Sequence, residues 1–191
     1  MDDIRIPVDT AYGDWNTRFG EIWKTQAAKL REKFGDSIEE IKMPGESATD
    51  MPIVYVKKAR VIELIKFLKE DSAFDYAFFS DLTATDEQPD EPRFEMVYHL
   101  YSMTQHTRIR IKTRIREGEE CPTLVGVWEA ANWAEREVWD MFGIKFTGHP
   151  DLRRILMDER WVGHPLRKDY PIRGYQIFPT PQEIDPSLLS D

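Results

Sequence analysis

Cysteine occurs once in the 191 residues, at Cys121. A single thiol excludes an internal disulfide and excludes a four-thiolate iron–sulfur or zinc site built by this chain alone. Long hydrophobic runs are also missing. The most apolar stretches, Met51 to Val56 and Tyr76 to Phe79, fall far short of the ~20 residues a membrane helix requires. The first residues, Met1-Asp2-Asp3-Ile4-Arg5, are acidic and carry neither a positive n-region nor an apolar core, so no secretory or transit peptide is expected. No GxGxxG, Walker, GxSxG, HExxH or CxxC pattern occurs, which leaves phosphate loops, nucleophile elbows and the common zinc motifs without a sequence basis.

What is present describes a globular chain: 41% hydrophobic residues, 32% charged residues and 12 prolines. The length suits one compact domain with an appendage, enough to bury roughly 70% of the unfolded surface. Net charge is −9, which argues against bulk affinity for nucleic acid or anionic lipid. The charge is unevenly placed. Residues Gly143 to Arg173 carry seven bases against four acids, a net +3 that leaves −12 on the remainder. Six of the prolines lie beyond Gly143, so that region is expected to be extended. The reading is α+β, a mostly antiparallel sheet of about five strands with three helices, as a domain over 1–142, followed by an extended proline-rich tail over 143–191.

Hydrophobic spacing locates the elements. Phe19, Ile22, Trp23, Ala27, Leu30 and Phe34 mark a helix from Thr17 to Phe34, stopped by Gly35. Strands are expected at Ser37 to Met43 and Met51 to Val56, joined through Pro44-Gly45, and a second helix over Lys57 to Glu70 on the stripe Val61, Leu64, Ile65 and Leu68. Phe74 to Thr83 reads as a strand and Asp86 to Pro92 as an exposed connection. A hairpin of Arg93 to Met103 with Arg108 to Arg116, Met103 facing Arg108, places Phe94, Met96, Tyr98 and Leu100 on one face with Ile109, Ile111, Thr113 and Ile115. A third helix is expected from Thr123 to Phe142, with Leu124, Val127, Trp128, Ala131, Val138 and Phe142 facing inward and Trp133, Glu137 and Asp140 on the far side. Glu135 falls in the apolar stripe, so a cation is expected to meet it, from Arg136, Arg153 or Arg154.

Three constellations invite chemistry. Gly148-His149-Pro150 and Gly163-His164-Pro165 offer two imidazoles, but without accompanying ligands they read as turns whose rings hydrogen-bond the backbone. Glu137, Asp140 and His149 could form an acid/base centre of a small hydrolase, yet no nucleophile or phosphate loop accompanies them. Arg108, Arg110, Lys112, Arg114 and Arg116 line one strand face opposite aromatic residues and Glu95, the last paired with Arg116; such a face could serve a stand-alone RNA-binding module, but no RNP-type motif supports it.

The run Glu135-Arg136-Glu137-Val138-Trp139-Asp140-Met141-Phe142-Gly143-Ile144 resembles the E-R-E-x-x-D-x-F-G-I signature of the 30 kDa subunit, or C subunit, of respiratory complex I. The continuation through Gly148-His149-Pro150-Asp151-Leu152-Arg153-Arg154 and Gly163-His164-Pro165-Leu166-Arg167-Lys168-Asp169-Tyr170-Pro171 resembles the same family's tail. This resemblance covers about Trp128 to Tyr175; Glu159-Arg160-Trp161-Val162 fits no fixed pattern within it.

The resemblance implies a non-catalytic structural subunit in the hydrophilic arm of the proton-translocating NADH:quinone oxidoreductase. Its place would be the cytoplasmic face of a bacterial inner membrane, or the mitochondrial equivalent. It implies no cofactor or metal on this chain, with NADH, FMN, iron–sulfur clusters and quinone on other subunits. Its partners would be the quinone-site (D) subunit and the cluster-bearing subunits. The chain's end at Asp191 implies that the quinone-site subunit is not fused to it. A related membrane-bound hydrogenase-type complex is the alternative setting. The candidate partner-facing residues are Glu135, Glu137, Asp140, His149, Arg153, Arg154, Trp161, His164, Arg167, Lys168, Asp169 and Tyr170.

Overall fold

A computed structural model, describing residues 15–44 and 51–176, shows the first apolar stripe as helix α1 (Trp15–Phe34). The acidic N-terminal residues, the 45–50 link and the segment 177–191 with Pro179, Pro181 and Pro186 lie outside the described residues. Leu30 and Phe34 of α1 are buried, and Gly35 ends the helix in the left-handed region at φ 48°. Strands β1 (Ile38–Lys42) and β2 (Ile53–Val56) pair antiparallel, as their sequence pattern indicated. Helix α2 (Val61–Glu70) buries Val61, Leu64, Ile65 and Leu68, each side chain contributing about 1.5–3 kcal/mol of apolar burial.

Strands β3 (Phe78–Asp86), β4 (Phe94–Ser102) and β5 (Thr107–Ile115) follow, and the five-stranded sheet runs β1-β2-β5-β4-β3. Every pairing in it is antiparallel except β2 with β5. The α+β reading therefore holds, with three helices and a mainly antiparallel sheet. Val54, Val56, Met96, Tyr98, Leu100, Ile109 and Ile111 join the apolar residues of all three helices in one core.

Three local expectations are corrected. The hairpin register is displaced by two residues, with Ser102 opposite Thr107 and Tyr101 opposite Arg108. Thr107 belongs to the strand because its buried hydroxyl donates to Tyr76 Oη at 3.3 Å. A two-residue shift preserves the faces, so the core assignment survives while Glu95 meets Lys112 and, at 3.6 Å, Arg114, not Arg116. Strand β3 starts at Phe78, not Phe74; Phe74 and Tyr76 are wholly buried in the turn after α2, where Tyr76 Oη donates to Gln26 at 2.9 Å. Asp86, expected in an exposed connection, is the buried last residue of β3.

The third helix is shorter than its stripe suggested. Residues 121–122 form a short strand, β6 (Cys121–Pro122), which pairs parallel with β7 (Phe146–Thr147) beyond helix α3 (Ala131–Phe142). Residues 124–130 are turns, with Val127 and Trp128 amides both donating to the Leu124 carbonyl. Helical spacing is thus kept without a continuous helix. The β6–β7 ladder holds one end of this segment, and the buried end of α3 holds the other.

Candidate functional site

Helix α3 carries two carboxylates with no exposed surface, Glu135 and Asp140, and they are satisfied by opposite means. Glu135 accepts from Thr123 Oγ1 at 2.6 Å and from the Leu124 amide. Among the described residues no cation pairs with it, so the expected Arg136, Arg153 or Arg154 partner is overturned. Burial pushes its carboxyl up to about 7, against the pull of those two donors, which favour the ionised form. Nearby, Tyr98 Oη and Cys121 Sγ lie 3.2 Å apart, and burial pushes the Cys121 thiol up to about 11.

Asp140 gathers the start of the tail. It accepts from the amides of Ile155 (3.1 Å), Leu156 (2.9 Å) and Met157 (2.9 Å) and from the Arg154 guanidinium. Burial alone would raise its pKa, but the Met157 and Leu156 amides, Arg154 and the Ile155 amide together hold it below the ordinary range. Arg154 also donates to the carbonyls of Trp161 (2.8 Å) and Gly163 (3.0 Å), which fold the next turn back onto the first. Arg136, expected to meet Glu135, points to the tail and donates to the carbonyls of Arg153 (3.1 Å) and Arg154 (2.9 Å).

The two Gly-His-Pro tripeptides act as the turns their sequence suggested. His149 Nδ1 accepts from the Asp151 amide at 3.1 Å, and its Nε2 lies 3.3 Å from the Asn132 carbonyl. His164 Nδ1 lies 2.9 Å from the Asp140 carbonyl, the geometry of an N–H donated to the end of α3. Its ring packs edge-on against Trp139 and over Gly143, where a Cβ would stand 2.7 Å from His164 Cδ2. Gly143, at φ 80°, ends α3 and leaves room for that imidazole.

A second anchor centres on Arg93, which is almost wholly buried. It pairs with Asp86 at 2.8 Å, Glu117 at 2.9 Å and Asp169 at 2.9 Å. Arg167 joins through Asp169 at 3.0 Å and through Glu117, while the Lys168 amide donates to Asp86 at 2.9 Å and its ammonium to the Gln88 carbonyl at 2.8 Å. Hydrogen bonds from Arg167, then from Arg93, keep the Asp169 carboxyl well below its usual range. Tyr170 packs between Trp161 and Tyr175.

The structure therefore brings Asp140, Arg154, Trp161 and His164 into one cluster and Arg167, Lys168 and Asp169 into another, with Tyr170 against Trp161. Glu137 is exposed, and among the described residues the Arg153 side chain pairs locally with Asp151 at 2.8 Å. Glu137, Asp140 and His149 do not assemble as an acid/base centre, because Asp140 is fully occupied and His149 binds backbone. Sequence reasoning missed Asp86, Arg93, Glu117 and Thr123. Arg93 stood one residue before an apolar strand, but two of its partners lie 24 and 76 residues away, a distance at which local pattern carries no signal.

The backbone of 153–176 is pinned inward, yet its side chains are not all buried. Leu156, Val162, Leu166, Ile172 and Tyr175, together with Trp133 on α3, are each more than half exposed.

Residues 54–176 match the family described as "Respiratory-chain NADH dehydrogenase, 30 Kd subunit". The chain is 48% identical over 149 residues to the second C subunit of NADH-quinone oxidoreductase from Rhizobium etli (strain CIAT 652), covering 78% of each chain. It is 50% identical over 147 residues to the C subunit of NADH-quinone oxidoreductase from Geotalea uraniireducens (strain Rf4), covering 76% of this chain and 86% of the relative. The mitochondrial NADH-ubiquinone oxidoreductase 30.4 kDa subunit of Neurospora crassa is 48% identical over 122 residues, which span 64% of this chain and 43% of that one. The fold is also that of a chain in the solved structure of the membrane-bound sulfane sulfur reductase, an archaeal respiratory membrane complex. There the TM-score is 0.60 at 23% identity, over 84% of this chain and 97% of that one. The E-R-E helix, the two Gly-His-Pro turns and these matches agree, and the chain belongs to the 30 kDa family of the respiratory-chain NADH dehydrogenase, as a C subunit of NADH-quinone oxidoreductase.

Proposed function

We propose that this chain is a non-catalytic structural subunit of the hydrophilic arm of the complex, needed to assemble the electron path from NADH through iron–sulfur clusters to quinone. The observation that carries this reading is the tail, whose backbone is fixed to its own domain by Asp140, Arg93 and their partners while its apolar side chains face outward. A pre-ordered segment presenting aromatic and aliphatic side chains loses little entropy on docking, which suits a permanent interface. Electron tunnelling falls steeply with cofactor separation, so a subunit that fixes its neighbours' positions is needed for turnover without touching an electron.

In this reading the flavin, the clusters and the quinone sit on other subunits. The one thiol of this chain is buried, with its pKa pushed up by that burial, and its histidines are bound to backbone or strand neighbours, which supports that division. The quinone-site (D) subunit and the cluster-bearing subunits are the proposed neighbours, at the cytoplasmic face of a bacterial inner membrane or its mitochondrial counterpart. No helix among the described residues is long and apolar enough to cross a membrane, in keeping with attachment through other subunits.

Truncation after Met157 tests the reading, because it removes the exposed apolar residues from Val162 onward and leaves the three Asp140-bound amides. The expected result is a folded chain that fails to support assembly and NADH-to-quinone electron transfer. Unchanged assembly and activity would overturn it.

A further inference from the structure

The outer face of the sheet, away from the helices, carries a row of bases on β5 that divides into two halves. At the far half Lys112 and Arg114 share the single carboxylate of Glu95 and flank the ring of Tyr55. At the near half neither Arg108 nor Arg110 has an ion-pair partner among the described residues. Arg108 lies over the Tyr101 ring, 5.9 Å from its centre, and Arg110 Nε donates to His99 Nε2 at 2.8 Å. Burial and the Arg110 guanidinium keep His99 below its usual pKa, as an acceptor should be. The register places Phe78, Tyr101 and Arg108 side by side across three strands, with Asp81, His99 and Arg110 in the adjoining row. Asp81 turns one carboxylate oxygen to the Leu82 amide at 2.8 Å. Phe78 and, in the β4–β5 turn, Met103 are more than half exposed.

From this juxtaposition we infer that the Phe78–Tyr101–Arg108–Arg110 face binds an acidic, partly apolar segment of another polypeptide of the complex. Residues alternate along a strand about 7 Å apart, so the two guanidiniums can take two carboxylates of one segment while Phe78 and Met103 receive an apolar side chain between or beside them. Arginine, tyrosine, phenylalanine and methionine are the residue types that concentrate binding energy at protein interfaces. A nucleic acid fits less well, because Glu87, Asp90, Glu91 and Glu95 line the cleft next to Lys112 and Arg114 and would repel a phosphate backbone continuing along the basic row. This surface lies at the start of β5, whereas the tail anchors at Glu117 beyond its end. The inference rests on membership of the complex, and it goes beyond the role proposed for residues 158–176.

The test uses the assembled complex. A photo-reactive benzoyl-phenylalanine in place of Phe78 should cross-link to a companion-subunit stretch containing at least two Asp or Glu residues, identified by mass spectrometry. The double substitution Arg108→Glu, Arg110→Glu should weaken incorporation of the chain on the order of tenfold, and replacing the cross-linked acids by Lys should restore it. Arg108→Gln, Arg110→Gln, which removes charge without reversing it, should give an intermediate loss with an unchanged melting temperature. Cross-links to nucleic acid, to a second copy of this chain or to a segment without acids would overturn the inference, as would no cross-link in an intact complex. The same probe in place of Leu166 reports on the tail separately, so failure at Phe78 leaves the tail reading standing.

Discussion

The sheet domain and the segment 143–176 are held in place by different physics. The domain buries Val54, Tyr98, Leu100, Ile109, Ile111 and the helix stripes in a continuous apolar core, an attraction that needs no particular orientation. Segment 143–176 has no buried apolar residue after Phe146 and is fixed by directional contacts at two points, Asp140 and Arg93. A core tolerates exchange of one apolar group for another, whereas a polar clasp fails when one buried partner is removed. The contrast explains how a basic segment interrupted by prolines is held against the domain while its own apolar side chains stay exposed.

Substitutions should expose that difference. Asp140→Ala removes four acceptor contacts at once and strands Arg154, so the local cost should be about 4 kcal/mol. Trypsin should then cut at Arg153 and Arg154 while the sheet stays folded. Ile111→Ala opens a cavity under the fully buried centre of β5 and should cost about 3 kcal/mol, this time as a lower midpoint for unfolding of the whole domain in urea.

A third prediction sets the two buried acids of α3 against each other. The Glu135 carboxyl is raised in the folded state, so its contribution is fully present below the unfolded pKa near 4.5 and is lost as pH rises through about 7. Asp140 is depressed, so its contribution is present above the unfolded value and is lost only in acid. Glu135→Gln keeps a carbonyl oxygen to accept from the Leu124 amide and sets its NH2 against the Thr123 hydroxyl, which can accept, without the charge. It should match wild type near pH 4 and exceed it by about 2 kcal/mol at pH 8, measured by urea unfolding across that range. At the small end, Arg153→Ala removes only an exposed pair with Asp151 and should change stability by less than about 0.5 kcal/mol.

Periodicity made the core legible, and the same contrast marks where it stopped. The α2 stripe and the inward faces of β4 and β5 are governed by spacing along one element, so Val61, Leu64, Ile65, Leu68, Tyr98 and Ile111 could be placed from their spacing alone. The two-residue register displacement changed no face, because a strand repeats every two residues. The start of α3 was misplaced because Leu124, Val127 and Trp128 keep helical spacing through a series of turns. The E-R-E helix and both Gly-His-Pro turns were recognisable as a motif, but their partners were not. Arg136 and Glu135 are neighbours in sequence and face different tasks, one holding tail carbonyls and the other a loop amide, a choice set by three-dimensional packing.

The most direct test of the clasp is amide hydrogen exchange of the purified chain, followed at Ile155, Leu156 and Met157 in wild type and in Asp140→Ala, with the β4 amides as internal reference. Wild type should protect all three, and the substitution should speed their exchange on the order of a hundredfold while β4 is unchanged. Free exchange of these amides in wild type, or equal protection in both proteins, would contradict the clasp.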